Sequence, residues 1–330
     1  MNDKILNISS NPHVRSKLTT GNVMLGVIVS LLPAAIFGVF HFGLHAFLII
    51  AAAVVSAVLT EFIFDLIAKR PNTVKDGSAV VTGLLLALSL SHSVPLYIPV
   101  IGSIFAILFV KCFFGGLGKN FMNPALAGRC FLLISFGTSM TSFAVDGVSS
   151  ATPLADLAAG NTINLSQVYL GYSNSVIGGS ALALLIGGLL LWAMGGITWE
   201  IPTATLVVFS LFIAIFGGQG FSVPFILSHI CAGGILMGAF FMATDPATSP
   251  MTSTGQLVFG AIVGLLAGLY RVFGSSADSV SYAIILSNLF VPFIDKLCIP
   301  KPLGYYGGRR NAKDWSSLPS PDSDLPLCSA

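Results

Sequence analysis

Long apolar stretches, separated by short polar segments, cover most of the chain. A helix that crosses the hydrocarbon core of a membrane needs about 20 mostly apolar residues. The seven longest apolar runs are Val23–Phe40, Ala46–Phe64, Ile98–Phe114, Val176–Met194, Ala204–Phe216, Phe225–Met242 and Leu257–Tyr270. Three shorter runs begin at polar, Gly or Pro positions, namely Gly77–Ser91, Pro124–Phe136 and Ser279–Ile294. The pattern predicts an all-α polytopic membrane protein with about ten transmembrane helices.

Composition supports the membrane class. Of the 330 residues, 55% are hydrophobic and 8% are charged. A soluble domain carries about 25% charged residues, so this chain lacks the polar side chains to cover a water-facing surface. The composition excludes the ordinary soluble enzyme.

The positions of the basic residues predict the topology. With ten spans and a cytoplasmic N-terminus, every Lys and Arg except Arg271 falls on the cytoplasmic side, as the positive-inside bias requires. These fourteen bases are Lys4, Arg15, Lys17, Lys69, Arg70, Lys75, Lys111, Lys119, Arg129, Lys296, Lys301, Arg309, Arg310 and Lys313. The first residues are polar, so no cleavable signal peptide is expected. We expect a prokaryotic inner (plasma) membrane, with both termini in the cytoplasm.

The two halves of the chain show a weak similarity. Aligning their apolar runs matches Gly83 with Gly234, Lys111 with Arg271, and Gly115 with Gly274. Five spans in each half force opposite orientations, the arrangement of many transport folds. The predicted division is a cytoplasmic segment 1–20, a first repeat 21–137, an external loop 138–175, a second repeat 176–295 and a cytoplasmic tail 296–330.

Inverted-repeat folds place their working sites where short, interrupted helices begin. The turn Asn120–Asn123 precedes Pro124 at the start of the predicted fifth span, and Asp278–Ser281 opens the tenth. We therefore expect a site at each of these two turns.

Several acidic residues lie in or beside the spans. Asp76, Asp245 and Asp295 lie at span ends, where they are either solvated or capping carboxylates or part of an ion pathway. Glu61 and Asp65 lie deeper in the second span, and Asp65 can pair with Lys69 four residues later. Sequence does not choose between these alternatives.

The cysteines and histidines show no metal-ligand spacing. The five cysteines contain no C-x-x-C pair, which argues against an iron–sulfur cluster built from this chain alone. A cluster shared with another subunit stays open for Cys112 or Cys130, and no metal site is predicted.

The predicted external loop contains Asp146-Gly-Val-Ser149-Ser150-Ala151-Thr152-Pro153-Leu154. Taken alone, Thr152 followed by Pro is an ordinary helix start, with Thr at the N-cap and Pro at the first helical position. The segment also resembles the flavinylation motif Asp-x-x-Ser/Thr-Gly-Ala-Ser/Thr, whose last hydroxyl receives FMN as a phosphoester from a dedicated transferase. Ser150 stands where the motif has Gly, which puts the efficiency of that transfer in question.

Five further segments occur in a characteristic order. They are Pro12–Lys17, Asp76–Leu85, Asn120–Arg129, Met242–Pro250 and Asn288–Asp295. Together with the flavinylation motif they resemble RnfD, the D subunit family of Rnf-type ferredoxin:NAD⁺ oxidoreductase complexes, which is similar to the NqrB subunit of the Na⁺-pumping quinone reductase. The resemblance runs from about Ile8 to Asp295.

This resemblance implies a redox subunit that relays electrons through flavin and is not catalytic alone. It implies FMN bound covalently at Thr152, near Ser149, Ser150 and Ala151, and H⁺ or Na⁺ moved outward. Because Asp278–Ser281 is the outward counterpart of Asn120–Asn123, we expect this flavin near Asp278 and Ser281.

The resemblance also implies a second, non-covalent flavin, riboflavin, at Asn120 and Asn123. The alternative is that Asn123 simply caps the fifth span. Arg129 is then either a helix-packing ion or the counter-charge of that flavin.

The expected partners are other Rnf subunits (types A, B, C, E and G), the flavin transferase and membrane lipid, with no nucleic acid. No Gly-x-Gly-x-x-Gly or Walker loop occurs, in keeping with nucleotide and ferredoxin sites on other subunits. Two rival functions remain at this point: a urea- or ammonium-channel-like solute channel or transporter, because fold does not fix function, and a scaffold without flavin, which the Ser150 departure favours.

Overall fold

Apolar helices dominate the part of the chain that the structure, a computed structural model, describes. The described residues are 19–71, 73–141, 144–145, 148–149, 165–172, 176–274 and 278–299. The predicted flavin anchor Thr152 and its neighbours Ser150 and Ala151 lie outside them, as do the N-terminal segment 1–18 and the tail 300–330.

The first half contains five apolar helices. Their bounds are α1 Thr20–Phe42, α2 Leu44–Ile67, α3 Ser78–Leu88, α4 Tyr97–Phe105, which continues as a π-helical segment Ala106–Cys112, and α5 Pro124–Ser135. A 3₁₀ turn, Val74–Asp76, leads into α3 through Gly77, whose φ of 73° favours glycine. Capping side chains fix two of the starts, because Thr19 accepts a hydrogen bond from the Asn22 amide and Asn123 accepts one from the Ala125 amide.

Short elements occupy the segment between the halves. They are α6 Gly137–Thr141, a two-stranded antiparallel hairpin of β1 Ala144–Val145 and β2 Val148–Ser149, and α7 Leu165–Leu170. An isolated antiparallel bridge joins Ser91 to Val176. Because residues 176–180 form this bridge and a turn, the sixth apolar run becomes helical only at Ala181, five residues later than the apolar pattern predicts.

The second half repeats the count of five. Its helices are α8 Ala181–Ala193, α9 Glu200–Phe216, the pair α10 Val223–Cys231 and α11 Ile235–Met237, the latter continued by a π-helical segment Gly238–Met242, then α12 Ser253–Phe273 and α13 Ser279–Cys298. The run Phe225–Met242, predicted as one span, is broken: its two helices are bent by 67°. Gly233 and Gly234 form the break, with φ values of 74° and 72°.

Length and composition single out the membrane-crossing helices. In the described ranges, α1, α2, α12 and α13 are long and apolar enough to span, and the bent pair in the second half is a fifth candidate. Five shorter apolar helices of 10–17 residues accompany them. The chain is therefore an α-helical membrane protein, while the count of ten spans stays a prediction.

Glycines allow the helices to approach closely. A Cβ on Gly83 of α3 would lie 2.8 Å from the Ala53 carbonyl oxygen of α2, and one on Gly264 of α12 would lie 2.5 Å from the Thr205 carbonyl oxygen of α9. Small residues at helix contacts are the usual device of membrane bundles, since lipid provides no hydrophobic drive for association. In contrast, large apolar side chains such as Phe40 and Ile67 point outward, where lipid can cover them.

Candidate functional site

A cavity of about 50 Å³ lies where the two halves of the chain meet. It has room for a few water molecules, since a water needs roughly 10–15 Å³ of such space. Its polar lining residues are Ser78, Thr82, Lys111, Asn120, Asn123, Thr244 and Asp245. Three of these, Asn120, Asn123 and Asp245, are residues that the sequence predicts as site residues, so the fold brings them together from distant parts of the chain.

Asn123 joins the two halves at this cavity. Its Oδ1 accepts from the Ala125 amide at 3.0 Å, and its Nδ2 donates to the Met242 carbonyl oxygen at 3.1 Å. The side chain is buried, so both bonds form away from water. The predicted capping role is confirmed, and a link to α11 and its π-helical extension adds to it.

Asn120 offers an unused acceptor. Its Nδ2 donates to the Met122 carbonyl oxygen at 3.2 Å, whereas its buried Oδ1 has no partner in the described part of the chain. Most buried polar atoms in native structures are hydrogen-bonded. The orphaned Oδ1 beside a cavity therefore marks a place where a ligand or water donates.

Lys111 forms a buried ion pair that the sequence does not predict. Its Nζ lies 2.7 Å from Glu61 Oε1 and 2.6 Å from Ser78 Oγ, and the side chains of Lys111 and Glu61 are 3% and 1% exposed. The structure shows Lys111 as a member of a buried ion pair in the π-helical segment that continues α4, and its predicted place on the cytoplasmic side stays a prediction. The sequence does contain a signal for this pair, because Glu61 and Lys111 are oppositely charged residues that each lie inside an apolar run.

Thr73 extends this network to Asp65. Its Oγ1 donates toward both Glu61 Oε1, at 2.6 Å, and Asp65 Oδ2, at 2.9 Å, and its amide donates to Asp65 Oδ2 at 2.9 Å. The pair with Lys69 that the sequence spacing makes available does not form between these two described residues, because the chain turns back after α2 and brings Thr73 onto the Asp65 carboxylate. Lys69 lies exposed in that turn with a φ of 51°.

The three predicted ion-pathway acids occupy different places. Asp245 lines the cavity and accepts from the Ala247 amide at 3.4 Å and from Thr248 Oγ1 at 3.2 Å. Burial raises the pKa of the Asp245 carboxyl, and these two hydrogen bonds partly oppose that rise. Asp295 Oδ1 accepts from the Met251 amide at 3.2 Å, and Asp76 closes the 3₁₀ turn before α3.

The second predicted turn is held by an ion pair. Arg129 of α5 donates to Asp278 Oδ1 through Nε at 3.0 Å and also through Nη2. Its Nη1 is buried without a partner in the described ranges. The structure shows Arg129 as an ion that joins two helices through Asp278, and its predicted role as the counter-charge of a flavin stays a prediction.

Arg271 closes the break between α10 and α11. Its guanidinium donates to the carbonyl oxygens of His229, Ala232 and Gly233 at 3.2, 3.3 and 3.1 Å, and its Nε donates to Ser279 Oγ at 3.0 Å. These bonds satisfy carbonyls that the bend in the helix frees, as a membrane requires. The nearby Ser281, predicted as a flavin contact, is buried at the start of α13.

The covalent flavin site itself lies largely beyond the described residues. Ser149 belongs to β2 through its backbone, while Ser150, Ala151 and Thr152 fall in the undescribed segment. The FMN attachment therefore stays a prediction. Cys112 and Cys130, the candidates for a shared cluster, are both buried within this chain.

Comparison with known proteins gives the family. Residues 7–304 match the model of the NQR2, RnfD, RnfE family. The D subunit of the Na⁺-translocating ferredoxin:NAD⁺ oxidoreductase complex of Acetobacterium woodii is 44% identical over 95% of this chain and 100% of its own length. The D subunit of the proton-translocating ferredoxin:NAD⁺ oxidoreductase complex of Clostridium ljungdahlii is 39% identical over 91% of this chain and 96% of its own. The D subunit of the ion-translocating oxidoreductase complex of Escherichia coli SE11 is 33% identical over 92% and 100%. The chain belongs to the NQR2, RnfD, RnfE family.

Proposed function

We propose that this chain is the D-type membrane subunit of an Rnf complex, which relays electrons between ferredoxin and NAD⁺ and couples them to outward movement of H⁺ or Na⁺. The carrying observation is the near full-length similarity to the D subunit of Acetobacterium woodii, which covers all of that protein. Relatives named for Na⁺ and for the proton are both similar, so overall similarity does not distinguish the two coupling ions. Family membership favours this function over a solute channel.

The flavin attachment at Thr152 is the second part of the proposal. It is supported by Asp146, Ser149, Ala151 and Thr152 in motif spacing. Because the sequence predicts Thr152 as a helix N-cap, a phosphodiester on its hydroxyl would place one negative charge against the free amides and the positive dipole end of that helix. Bound there, the FMN supplies one- and two-electron transfer, while the chain holds its phosphate.

A second, non-covalent flavin, riboflavin, is the third part of the proposal. The orphaned Asn120 Oδ1 fits an imide donor of a flavin ring edge, and Lys111 rather than Arg129 offers a positive charge at the same cavity. These polar groups therefore fit the polar edge of a flavin ring, whereas a cavity of about 50 Å³ is too small to hold the whole tricyclic ring.

The architecture and the setting complete the proposal. We propose ten spans in two inverted repeats, in a prokaryotic inner membrane with cytoplasmic termini. Supporting this, Lys111 lies at the end of α4 and contacts the start of α3, while Arg271, its partner in the sequence alignment, lies at the end of α12 and contacts the break between α10 and α11. The proposed partners are the A-, B-, C-, E- and G-type subunits and a flavin transferase.

Denaturing gel electrophoresis tests the flavin proposal. The chain is co-expressed with the transferase, and its band is examined for flavin fluorescence and by intact mass. Thr152→Val should lose both the fluorescence and the added FMN mass, because the acceptor hydroxyl is gone, whereas Thr141→Val, an exposed threonine of α6, should keep both. An unmodified wild-type chain inside an active complex would instead favour the scaffold.

Ser150→Gly restores the family motif and provides a second measurement on the same gel. If Ser150 slows the transferase, this variant should carry more flavin per chain than the wild type. Equal labelling would mean that the departure from the motif is harmless.

A further inference from the structure

The buried pair of Lys111 and Glu61 has features that a packing ion pair does not need. Glu61 Oε1 accepts two hydrogen bonds, from Lys111 Nζ at 2.7 Å and from Thr73 Oγ1 at 2.6 Å. Its Oε2 is buried and has no partner in the described part of the chain. One oxygen of the carboxylate is thus saturated while the other is desolvated and unused.

Such an arrangement is a poor source of stability. The desolvation of two charges can exceed their attraction, so a buried ion pair is weak evidence for a structural role. An ionisable residue within a membrane span is by default a candidate functional group. The orphaned Oε2 adds a second reason, because a buried polar atom without a hydrogen-bond partner destabilises the folded protein.

The pair also borders the cavity. Lys111 both contacts Glu61 and lines the cavity shared with Asn120 and Asp245. Water in that space is within reach of the ammonium, and the ammonium is within hydrogen-bonding distance of the carboxylate. Lys111 therefore connects a water-sized space to a residue that water cannot reach directly.

We propose that Glu61 is a proton-loading residue of the complex and that Lys111 relays the proton to it from the cavity. Lys111 breaks one N–H bond to give a proton to the Glu61 carboxylate, and it forms a new N–H bond with a proton from a hydronium ion in the cavity, which becomes water. The net change is one O–H bond formed on Glu61 and one hydronium ion converted to water. No electron moves in this step. The inference rests on the proposed redox function, which supplies the negative charge that the loaded proton compensates.

The charges around Glu61 favour a proton over a metal cation. The positively charged Lys111 Nζ lies 2.7 Å from Glu61 Oε1, and it would repel a Na⁺ ion bound beside it. The other ionisable groups of the cluster are Asp65 on the same helix, Cys112 next to Lys111, and Arg70, which donates to the Cys112 carbonyl oxygen at 3.4 Å. A proton changes the charge of Glu61 without requiring further ligands.

Redox-induced infrared difference spectroscopy on the purified complex tests the proposal. On reduction, the wild type should show a new carboxylic acid C=O band that shifts in D₂O and does not depend on Na⁺. Glu61→Gln should lose this band, whereas Glu200→Gln, a matched change in the second half, should keep it. A band that survives in Glu61→Gln, or one that requires Na⁺, overturns the proposal.

Transport measurements give an independent readout. In proteoliposomes, Glu61→Gln should lose ion transport per electron while it keeps flavin content and ferredoxin-to-NAD⁺ electron transfer under uncoupler. Wild-type coupling in that variant, with electron transfer intact, overturns the inference alone. A wild-type complex without flavin-dependent electron transfer overturns the proposed function and the inference with it.

The double variant Glu61→Leu/Lys111→Met guards against a folding defect. Replacing a buried ion pair with apolar residues of similar size is often neutral or stabilising, so this variant should assemble. Loss of the infrared band and of transport in the assembled complex supports proton loading. Normal transport would mean that the pair only packs helices, and would overturn the proposal.

Discussion

Arg129 of α5 and Asp278 at the start of α13 form an ion pair across 149 positions of the sequence, with Nε and Oδ1 3.0 Å apart. The two side chains are 11% and 13% exposed, so the pair is largely withdrawn from water. It joins a helix of the first half to one of the second. The pair therefore links the two turns that the sequence predicts as sites. Arg129 lies on α5, which begins after the Asn120–Asn123 turn at the cavity, and Asp278 belongs to the second turn.

Removing one partner of this pair should destabilise the protein strongly. Arg129→Met leaves Asp278 as an uncompensated buried charge, and breaking a buried pair costs roughly 3–5 kcal/mol. The unfolding temperature of the detergent-solubilised chain should fall accordingly. The double variant Arg129→Met/Asp278→Leu should recover most of that loss, and a double variant as unstable as the single one would show that the guanidinium has a further essential contact.

Asn123 should contribute more than a helix cap alone. Asn123→Ala removes both the cap to the Ala125 amide and the bond to the Met242 carbonyl oxygen. A cap is worth about 1 kcal/mol and a second buried hydrogen bond about as much again. Thr252→Ala, which removes only the cap of α12, is the matched control. Thermal unfolding should show the larger loss for Asn123→Ala; equal losses would mean that the bond to Met242 is worth little.

Most helices were predictable because a long apolar run in a membrane chain directly indicates an apolar helix. Nine of the ten runs contain one helix, although the fourth run passes from an α-helix into a π-helical segment and the sixth becomes helical five residues late. For example, α1 differs from Val23–Phe40 by three residues at the start and two at the end. The exception, Phe225–Met242, breaks at Gly233 and Gly234. Hydropathy cannot show this break, since both glycines are apolar on such scales and only their left-handed backbone bends the chain.

The candidate site was only partly predictable. Asn120, Asn123 and Asp245 were found because turn residues and acids at helix ends stand out in an apolar sequence. The Lys111–Glu61 pair joins residues 50 positions apart, and the sequence analysis does not connect the two. Such a contact depends on how α2 packs against α4, which no local pattern contains.

Asp245 should make stability depend on pH in a defined direction. Burial raises the pKa of this carboxyl, so the folded state binds the proton more tightly than the unfolded state does. The stability that Asp245 contributes is fully present below the ordinary aspartate pKa of about 3.9, and it is lost as pH rises through the raised pKa of the folded protein. Asp245→Asn should therefore stabilise the chain at neutral pH and lose that advantage in acid.

Thermal unfolding across a pH series measures this difference. Thr248→Val should raise the pKa of Asp245 further, because it removes a hydrogen bond that favours the ionised carboxylate. It should steepen the loss of stability toward neutral pH. If Asp245→Asn were no more stable than the wild type at neutral pH, the carboxylate would have to gain a compensating charge in the folded protein.

The glycine contact between α12 and α9 should tolerate no added carbon. A Cβ at Gly264 would lie 2.5 Å from the Thr205 carbonyl oxygen and 3.1 Å from the Phe209 amide nitrogen, both backbone atoms that cannot turn away. Overpacking of this kind costs about 1–3 kcal/mol. Gly264→Ala should lower the unfolding temperature although alanine favours helix. Gly21→Ala, at a helical position with open space around it, isolates that helix preference and should be neutral or stabilising. Equal unfolding temperatures for the two variants would show that α12 can move away from α9 at little cost.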